Sequence, residues 1–307
     1  MAFNVSNPIG TDGLSGNQDL GLELYTGEVL AAFDRTNKVL NTIKKRTISG
    51  GISAQFIVTG KGSDADAVDH VPGQAGVEKI LKVNERVISI DKRVRYDNFV
   101  DDLDLKLSQY EIRGEMAKQA AEALSTKIDK EIFAGIEAFI STDAGVADQE
   151  AGAVITIDVS GAATNEAKGD VLVDGVFEAQ TVLNTKDVPE MDRIFMTTSR
   201  NYHLIVQSSK AVNVDFKGEG SIAKGEVAML AGLPIVRTNN LPATATNGFA
   251  LHGMVYTPDV YGVVTAMDIT SQSDYQQKEL GYLLTSFYAI GHGGLNPACG
   301  VVITEEA

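Results

Sequence analysis

The sequence predicts an α+β protein in which a charged hairpin, one long helix and a mixed lobe of helices and strands follow one another. Two strand patterns flank a Gly- and Asp-rich stretch at 60–76, apolar residues recur about every four positions over 103–140, and helical and strand patterns alternate after residue 170. With 307 residues, of which 44% are hydrophobic, the chain can bury a sizeable core as one large or two medium domains.

The first residues show little apolar periodicity. Residues 1–24 are rich in Gly, Asn and Ser, which predicts a mobile arm that becomes ordered only against a partner. Over 27–39 we expect a short amphipathic helix, because Val29, Ala32 and Phe33 have helical spacing.

The charged hairpin follows this helix. Residues 53–59 alternate as a strand, and a second strand pattern runs over 79–100 with long charged side chains throughout. Two such strands around a flexible tip bury little surface within one subunit. We therefore expect the hairpin to project from the body and to be stabilised by a neighbouring copy.

The long helix is predicted over 103–140 because no proline interrupts an apolar row. The row consists of Ala117, Ala121, Leu124, Ile128, Ile132, Ile136 and Ile140. Just before the helix, Asp101-Asp102-Leu-Asp104 lacks the glycine and the final glutamate of a calcium loop. Acidic groups are favoured at a helix N-terminus, so a capping role is preferred to a metal site.

A lobe of alternating elements completes the chain. Residues 141–169 lose the helical pattern, which indicates a change of domain or an insertion, with a strand at 153–159. The later elements are predicted as helices at 170–185 and 199–207, the second opened by Ser199 as N-cap, and strands at 193–197, 234–238, 248–256, 262–268, 282–290 and 300–304.

Charge and composition exclude several classes of protein. The formal net charge of −15 argues against a surface built to neutralise nucleic-acid phosphates. Seventeen of the 26 basic residues lie between Arg35 and Lys130, so this region could dock on acidic stretches of like copies or could be solvated. There is no apolar run of about 18 residues and no secretory signal, so we expect no membrane contact and synthesis in the cytoplasm.

Groups that could carry chemistry are few. Gly291-His-Gly-Gly294 lacks the Lys and Ser/Thr of a phosphate loop, and we interpret it as a bulge or a positive-φ turn between strands. The four histidines have no zinc-ligand spacing. Cys299, the only cysteine, is expected to be an inert, partly buried thiol, the alternative being a nucleophile with a partner distant in sequence.

No catalytic, cofactor-binding or metal-binding residue is therefore predicted. Lys44-Lys45-Arg46 is too short for a nucleic-acid patch, which leaves an intersubunit contact or a solvated face. The candidate intersubunit contacts are Lys44, Lys45, Arg46, Lys61, Glu85, Arg86, Arg93, Arg95, Asp101 and Asp102.

Several segments carry a resemblance to a known family. The words "GEVLAAFDRTNKV", "RTISGGISAQFIVTG" and "YAIGHGGLNPACGVVI" resemble the major capsid proteins of T7-like short-tailed phages, and "AGLPIVRTNNLP" resembles the strand and corner near the axial tip of the HK97-like capsid fold. The resemblance implies an N-terminal arm and short helix at 1–50, an E-loop hairpin at 51–100, a P-domain with its spine helix at 101–169, an axial A-domain at 170–245 and return strands at 246–307.

The same resemblance implies a structural function without catalysis or cofactors. The chain would assemble into pentamers and hexamers of an icosahedral head, around a scaffolding protein and with a portal protein and decoration proteins. Packaged double-stranded DNA would be held by weak, non-specific contact. Two alternatives stay open: an encapsulin-type nanocompartment shell, and a small-molecule enzyme built on the α/β lobe at 170–290.

Overall fold

The computed structural model describes residues 29, 32, 37–59, 69, 72–73, 83–90, 92–101, 103, 112–146, 149–208, 210 and 229–306. The predicted arm, most of the first predicted helix and nearly all of the hairpin tip lie outside these residues. The strands are β1 (Lys44–Thr47), β2 (Ser53–Thr59), β3 (Val83–Ser89), β4 (Arg93–Asp101), β5 (Ala153–Ile157), β6 (Ile194–Thr197), β7 (Met229–Leu230), β8 (Leu233–Arg237), β9 (Leu251–Tyr256), β10 (Tyr261–Gln276), β11 (Gly281–Gly294) and β12 (Gly300–Glu305). The α-helices with described bounds are α1 (Ile112–Thr142), α2 (Asn165–Thr185) and α3 (Ser199–Gln207), and short 3-10 helices lie at Pro258–Val260 and Pro297–Cys299.

Two sheets form the body. The four-stranded sheet has the order β1-β10-β11-β4, with β1 parallel to β10 and the other pairs antiparallel. The six-stranded sheet has the order β5-β12-β9-β6-β8-β7. In β12, Val301, Val302 and Ile303 are fully buried between β5 and β9, which explains the continuous apolar run near the end of the chain.

The long helix α1 packs against both sheets. It contacts β4 and β11 of the four-stranded sheet and β5 and β12 of the six-stranded sheet. Every member of the predicted apolar row, from Ala117 to Ile140, is buried in the main core, which confirms the row. The structure describes this helix continuously from Ile112. Leu103 is also helical, but residues 104–111 lie outside the described part of the chain.

Capping residues set the ends of the lobe helices. The hydroxyl of Thr164 accepts from the Ala167 amide at 3.2 Å, so α2 begins five residues before its predicted start at 170. The prediction of Ser199 as the N-cap of α3 is wrong. Thr198 has the extended backbone of an N-cap and accepts from the Asn201 amide at 3.3 Å.

Strands β10 and β11 form a hairpin that extends well beyond the predicted strands at 262–268 and 282–290. The length added to β10 is mostly polar, and its Ser271 hydroxyl bonds the Ser286 hydroxyl of β11 at 2.9 Å, both being buried. Because these polar side chains do not alternate with apolar ones, the sequence pattern predicts a strand shorter than β10.

The second strand of the charged hairpin is interrupted. The single pattern over 79–100 divides at residues 90–92 into β3, which pairs with β2, and β4, which pairs with β11 in the four-stranded sheet. The Ile90 amide donates to the Ile52 carbonyl at 2.8 Å and closes the base of the β2–β3 hairpin. Only β2 and β3 therefore form a separate two-stranded sheet in the described chain.

Candidate assembly surface

The β2–β3 hairpin has a buried face and an exposed face. Successive side chains of a strand point to opposite sides, and the register pairs Ala54 with Ile88 on one side. Both of these residues are buried. On the other side, Ile57, Val83 and Val87 are 79%, 58% and 55% exposed. We call these three residues the outer apolar face.

The buried face rests on three glycines of the four-stranded sheet. Gly262 and Gly293 pair across β10 and β11, and a Cβ atom on either would lie 3.1 Å from the Ile88 side chain. A Cβ atom on Gly291 would lie 2.4 Å from the Ser89 carbonyl oxygen. Close approach of β3 to the sheet therefore requires these three residues, which we call the glycine shelf.

The glycine shelf corrects the interpretation of Gly291-His-Gly-Gly294. These residues lie in β11 in regular pairing, none has a positive φ, and the irregular register of β10 and β11 is at residues 265–270 instead. The prediction of a bulge or positive-φ turn is wrong. Packing explains the composition, since a Cβ atom on Gly294 would lie 2.1 Å from the Phe139 ring.

An ion pair holds the hairpin to the end of α1. The Arg86 guanidinium donates to both carboxylate oxygens of Asp143, at 3.1 and 2.8 Å, and lies 5.3 Å from the Phe139 ring centroid. Partial burial acts to raise the pKa of Asp143, but the bonds from Arg86 and from the Gly145 amide lower it below its ordinary value. Arg86, predicted as an intersubunit contact, is thus bonded within its own chain.

The basic residues of β1 are exposed. Lys44 pairs with Asp259, Lys45 donates to the Asn41 side chain at 3.3 Å, and Arg46 donates to the Gln55 carbonyl at 2.6 Å. Since these partners are themselves at the surface, the pairs leave the basic side chains of β1 accessible to a neighbouring molecule.

Strand β4 carries a second exposed basic group. Arg93 lies 5.4 Å from the Phe287 ring centroid, and Arg95, which is 72% exposed, pairs with Asp97 at 3.3 Å. The intervening Val94 and Tyr96 pack against the core, so both arginines point away from it. In the described part of the sheet, β4 is an edge strand.

Of the remaining candidates, Glu85 lies beside the outer apolar face, because it pairs with Ile57 and points to the same side of β3 as Val83 and Val87. Glu85 is exposed on β3 and forms no ion pair with any residue that the structure describes. Asp101 ends β4, and its side chain accepts from the Leu103 amide at 2.7 Å, as expected of a capping group. Lys61 and Asp102 lie outside the described residues.

Two described histidines, His252 and His292, form hydrogen bonds within the chain, and the cysteine is buried. His252 is bonded to Glu305, and the Nδ1 atom of His292 bonds the Tyr261 hydroxyl at 2.8 Å. Within the described ranges, no group of three His, Cys, Asp or Glu side chains could hold a metal ion. Cys299 is buried, and burial raises the pKa of its thiol, so the thiol is protonated near neutral pH. His70 lies outside the described residues.

Sequence reasoning missed two parts of this surface. The residues of the outer apolar face are out of phase with the buried ones in the sequence, but the charged residues between them hide the apolar pattern. The partner of Arg86 had no local signal, because Asp143 lies 57 residues away.

In the described part of the chain, no helix has the length and apolar character needed to cross a membrane.

Comparison with known proteins identifies similar chains. The family model described as "Gp10A-like: Major capsid protein" matches residues 55–304. The chain is 25% identical over 318 residues to the major capsid protein of Escherichia phage T7, covering 92% of this chain and 91% of that protein. It is also 25% identical over 322 residues to the major capsid protein of Enterobacteria phage T3, covering 94% and 92%.

Solved structures show the same architecture. The capsid structure of the cyanophage P-SCSP1u superposes with a TM-score of 0.74 at 29% identity, covering 99% of both chains. The mature capsid of bacteriophage PhiM1 gives a TM-score of 0.71 at 17% identity, covering 99% of this chain and 92% of that one, which supports the fold alone.

Proposed function

Because the chain belongs to the Gp10A-like family of major capsid proteins and has the HK97-like capsid fold, its function is to build the shell of a phage head, and we propose that the outer apolar face joins neighbouring subunits. Its place is the virion capsid. The expected family and fold are thereby confirmed, and the encapsulin alternative is not favoured.

The exposure of Ile57, Val83 and Val87 on one side of a two-stranded sheet is the observation that carries the proposal. Full burial of one such side chain stabilises by roughly 1.5–3 kcal/mol, so covering all three could contribute several kcal/mol per contact. The buried face of the hairpin is already held by the glycine shelf and Asp143. The outer apolar face is therefore presented in a fixed position, which reduces the ordering cost of association.

Exposed basic residues on β1 and β4 would set the orientation of the contact between neighbouring subunits. Lys45 and Arg46 on β1, and Arg93 and Arg95 on β4, are exposed in a chain whose net charge is −15. Opposite charges across an interface accelerate encounter and exclude wrong registers more than they add affinity. We expect these four residues to face acidic stretches of a neighbouring copy.

The assembly itself would be a closed shell of pentamers and hexamers. Repetition of one modest contact around a closed shell gives strength through avidity. Assembly around a scaffolding protein, with a portal protein and decoration proteins, is supported by family membership. The acidic net charge favours weak contact with packaged double-stranded DNA.

We propose the same assignment of parts as the resemblance implied, with 1–50 as N-terminal arm, 51–100 as E-loop, 101–169 as P-domain, 170–245 as A-domain and 246–307 as return strands. Family membership supports a structural chain that catalyses no reaction and needs no cofactor. The enzyme alternative, based on the lobe at 170–290, has no comparable support.

The proposal is tested with Ile57→Asp. A carboxylate at this site would lie opposite Glu85 and would have to be buried in the interface beside a like charge, so we expect particle yield to fall at least severalfold while the subunit fold is kept. The matched control is Met191→Asp, since Met191 is also 79% exposed but lies in the α2–β6 connection. Particle counts by negative-stain microscopy and circular dichroism of the subunits are the measurements. Wild-type particle yield of the Ile57→Asp chain would disprove the proposal.

A further inference from the structure

Asp129, in the middle of α1, is a fully buried carboxylate. No residue in the described ranges forms an ion pair with it. Four N–H groups donate to it instead. Oδ1 accepts from the Asn37 side chain at 2.9 Å and from the Val39 amide at 3.4 Å, and Oδ2 accepts from the Lys38 amide at 3.4 Å and from the Asn240 side chain at 3.1 Å.

These donors come from two distant parts of the chain. Three belong to residues 37–39, which lead from the N-terminal part of the chain into β1. The fourth belongs to Asn240, in the corner that follows β8 in the lobe. Lys38 and Asn240 share a single oxygen of Asp129, and within the described residues no hydrogen bond joins residues 37–39 directly to the Thr238–Asn240 corner.

Both segments are ordered around this carboxylate. The side-chain oxygen of Asn37 accepts from the Leu40 amide at 2.8 Å, so its amide group is oriented toward Asp129. In the corner, the Thr238 amide donates to the Thr197 carbonyl at 3.0 Å, and the Thr238 hydroxyl accepts from the Asn240 amide at 3.2 Å. Each segment therefore presents its donors in a defined geometry.

A buried carboxylate without a direct ion pair depends on all of its donors. In a low-dielectric interior, each donor offsets part of the desolvation cost of the carboxylate and helps to hold it in place, so the loss of one donor leaves part of that cost uncompensated and lets the carboxylate move. Donors on one side should consequently hold more firmly when those on the other side are in place.

We propose that Asp129 couples the two segments, so that the path of residues 37–39 and the seating of the Thr238–Asn240 corner on α1 are gained and lost together. A force on the N-terminal segment would then be transmitted to the lobe through one carboxylate of the long helix. The coupling is reciprocal, as any equilibrium linkage must be.

The chain offers a matched control on the same segment. The Thr42 hydroxyl bonds the Tyr256 hydroxyl at 2.9 Å, and this contact anchors Thr42 to β9 without a hydrogen bond to Asp129. The substitution Tyr256→Phe removes that anchor and leaves all four donors of Asp129 in the chain.

Hydrogen exchange of the full-length chain, assembled or as purified subunits, tests the coupling. We expect Asn240→Ala to accelerate exchange of the Lys38 and Val39 amides, and Asn37→Ala to accelerate exchange of the Thr238 amide, each on the order of fivefold or more. Tyr256→Phe keeps all four donors of Asp129, so exchange of the Lys38, Val39 and Thr238 amides should stay near the wild-type rate. If an alanine variant does not fold, Asn→Ser at the same positions gives the same comparison. Exchange that changes only on the substituted side, or in one direction only, would overturn the proposal.

Discussion

The guanidinium of Arg86 binds both carboxylate oxygens of Asp143, at 3.1 and 2.8 Å, and so joins the middle of the hairpin to the residue just past the end of the long helix. The two side chains are 22% and 25% exposed, which places the pair between the surface and the core. Together with the glycine shelf, this pair makes the hairpin part of the body of its own subunit. An assembling neighbour then meets a hairpin that is already positioned.

Replacing Arg86 by lysine should weaken this attachment. A lysine keeps the charge but loses the two parallel bonds to Asp143, and we expect the free energy of unfolding to fall by about 1 kcal/mol. The matched control is Arg95→Lys, whose ion pair with Asp97 is exposed and should contribute less than about 0.5 kcal/mol. Urea denaturation of both variants measures the difference. Equal effects at the two positions would contradict the attachment.

The same pair predicts a pH dependence. Because the pKa of Asp143 in the folded chain lies below its ordinary value, the contribution of the pair is present above the ordinary pKa of about 3.9 and is lost as the pH falls through the lowered one. The effect of Arg86→Lys should be constant from neutral pH down to about pH 5 and should shrink only in stronger acid. Urea titrations at several pH values check this sign. A loss that begins above about pH 6 would point to another group.

The glycine shelf predicts a sharp difference between two alanine substitutions. Gly291→Ala would place a methyl group 2.4 Å from the Ser89 carbonyl, which forces the hairpin base away, and we expect destabilisation of about 1–3 kcal/mol. The control is Gly114→Ala in α1, where an added methyl group meets no atom within 4 Å. There the better helix propensity should stabilise by up to about 1 kcal/mol. Thermal melting distinguishes the two, and a neutral Gly291→Ala variant would refute close packing of β3.

Charge reversal tests the exposed basic residues of β1 and β4. Changing Lys45 and Arg46 to glutamate, or Arg93 and Arg95 to glutamate, should lower particle yield severalfold, because like charges would then face each other between copies. The subunit fold should persist, since these side chains are exposed. Particle counts by electron microscopy, with circular dichroism of the subunits as control, are the measurements. Unchanged particle yield would count against the assigned contacts.

Cys299 should be almost unreactive in the folded chain. Burial raises the pKa of its thiol, so at neutral pH little thiolate forms and reagent access is blocked. Alkylation by iodoacetamide should be roughly tenfold or more slower in the native protein than in urea. Mass spectrometry follows the modification. Fast native labelling would mean that the thiol is exposed or activated, contrary to its position in the structure.

The sequence alone determined the elements that local periodicity encodes. The row from Ala117 to Ile140 predicted the buried side of α1, and the apolar run near the end of the chain predicted β12. Such patterns are reliable because burial of one helix face or one strand imposes its spacing on consecutive residues. The segments that resemble known capsid proteins added the fold and the function.

Tertiary structure alone decided how these elements meet. The division of the 79–100 pattern into β3 and β4 depends on which sheet each half joins, since alternation itself continues across the break. The glycine shelf, the pair of Arg86 with Asp143 and the donors around Asp129 each join residues that are tens of positions apart. Their energies depend on distances in the folded chain, and a spacing pattern along the sequence carries no information about those distances.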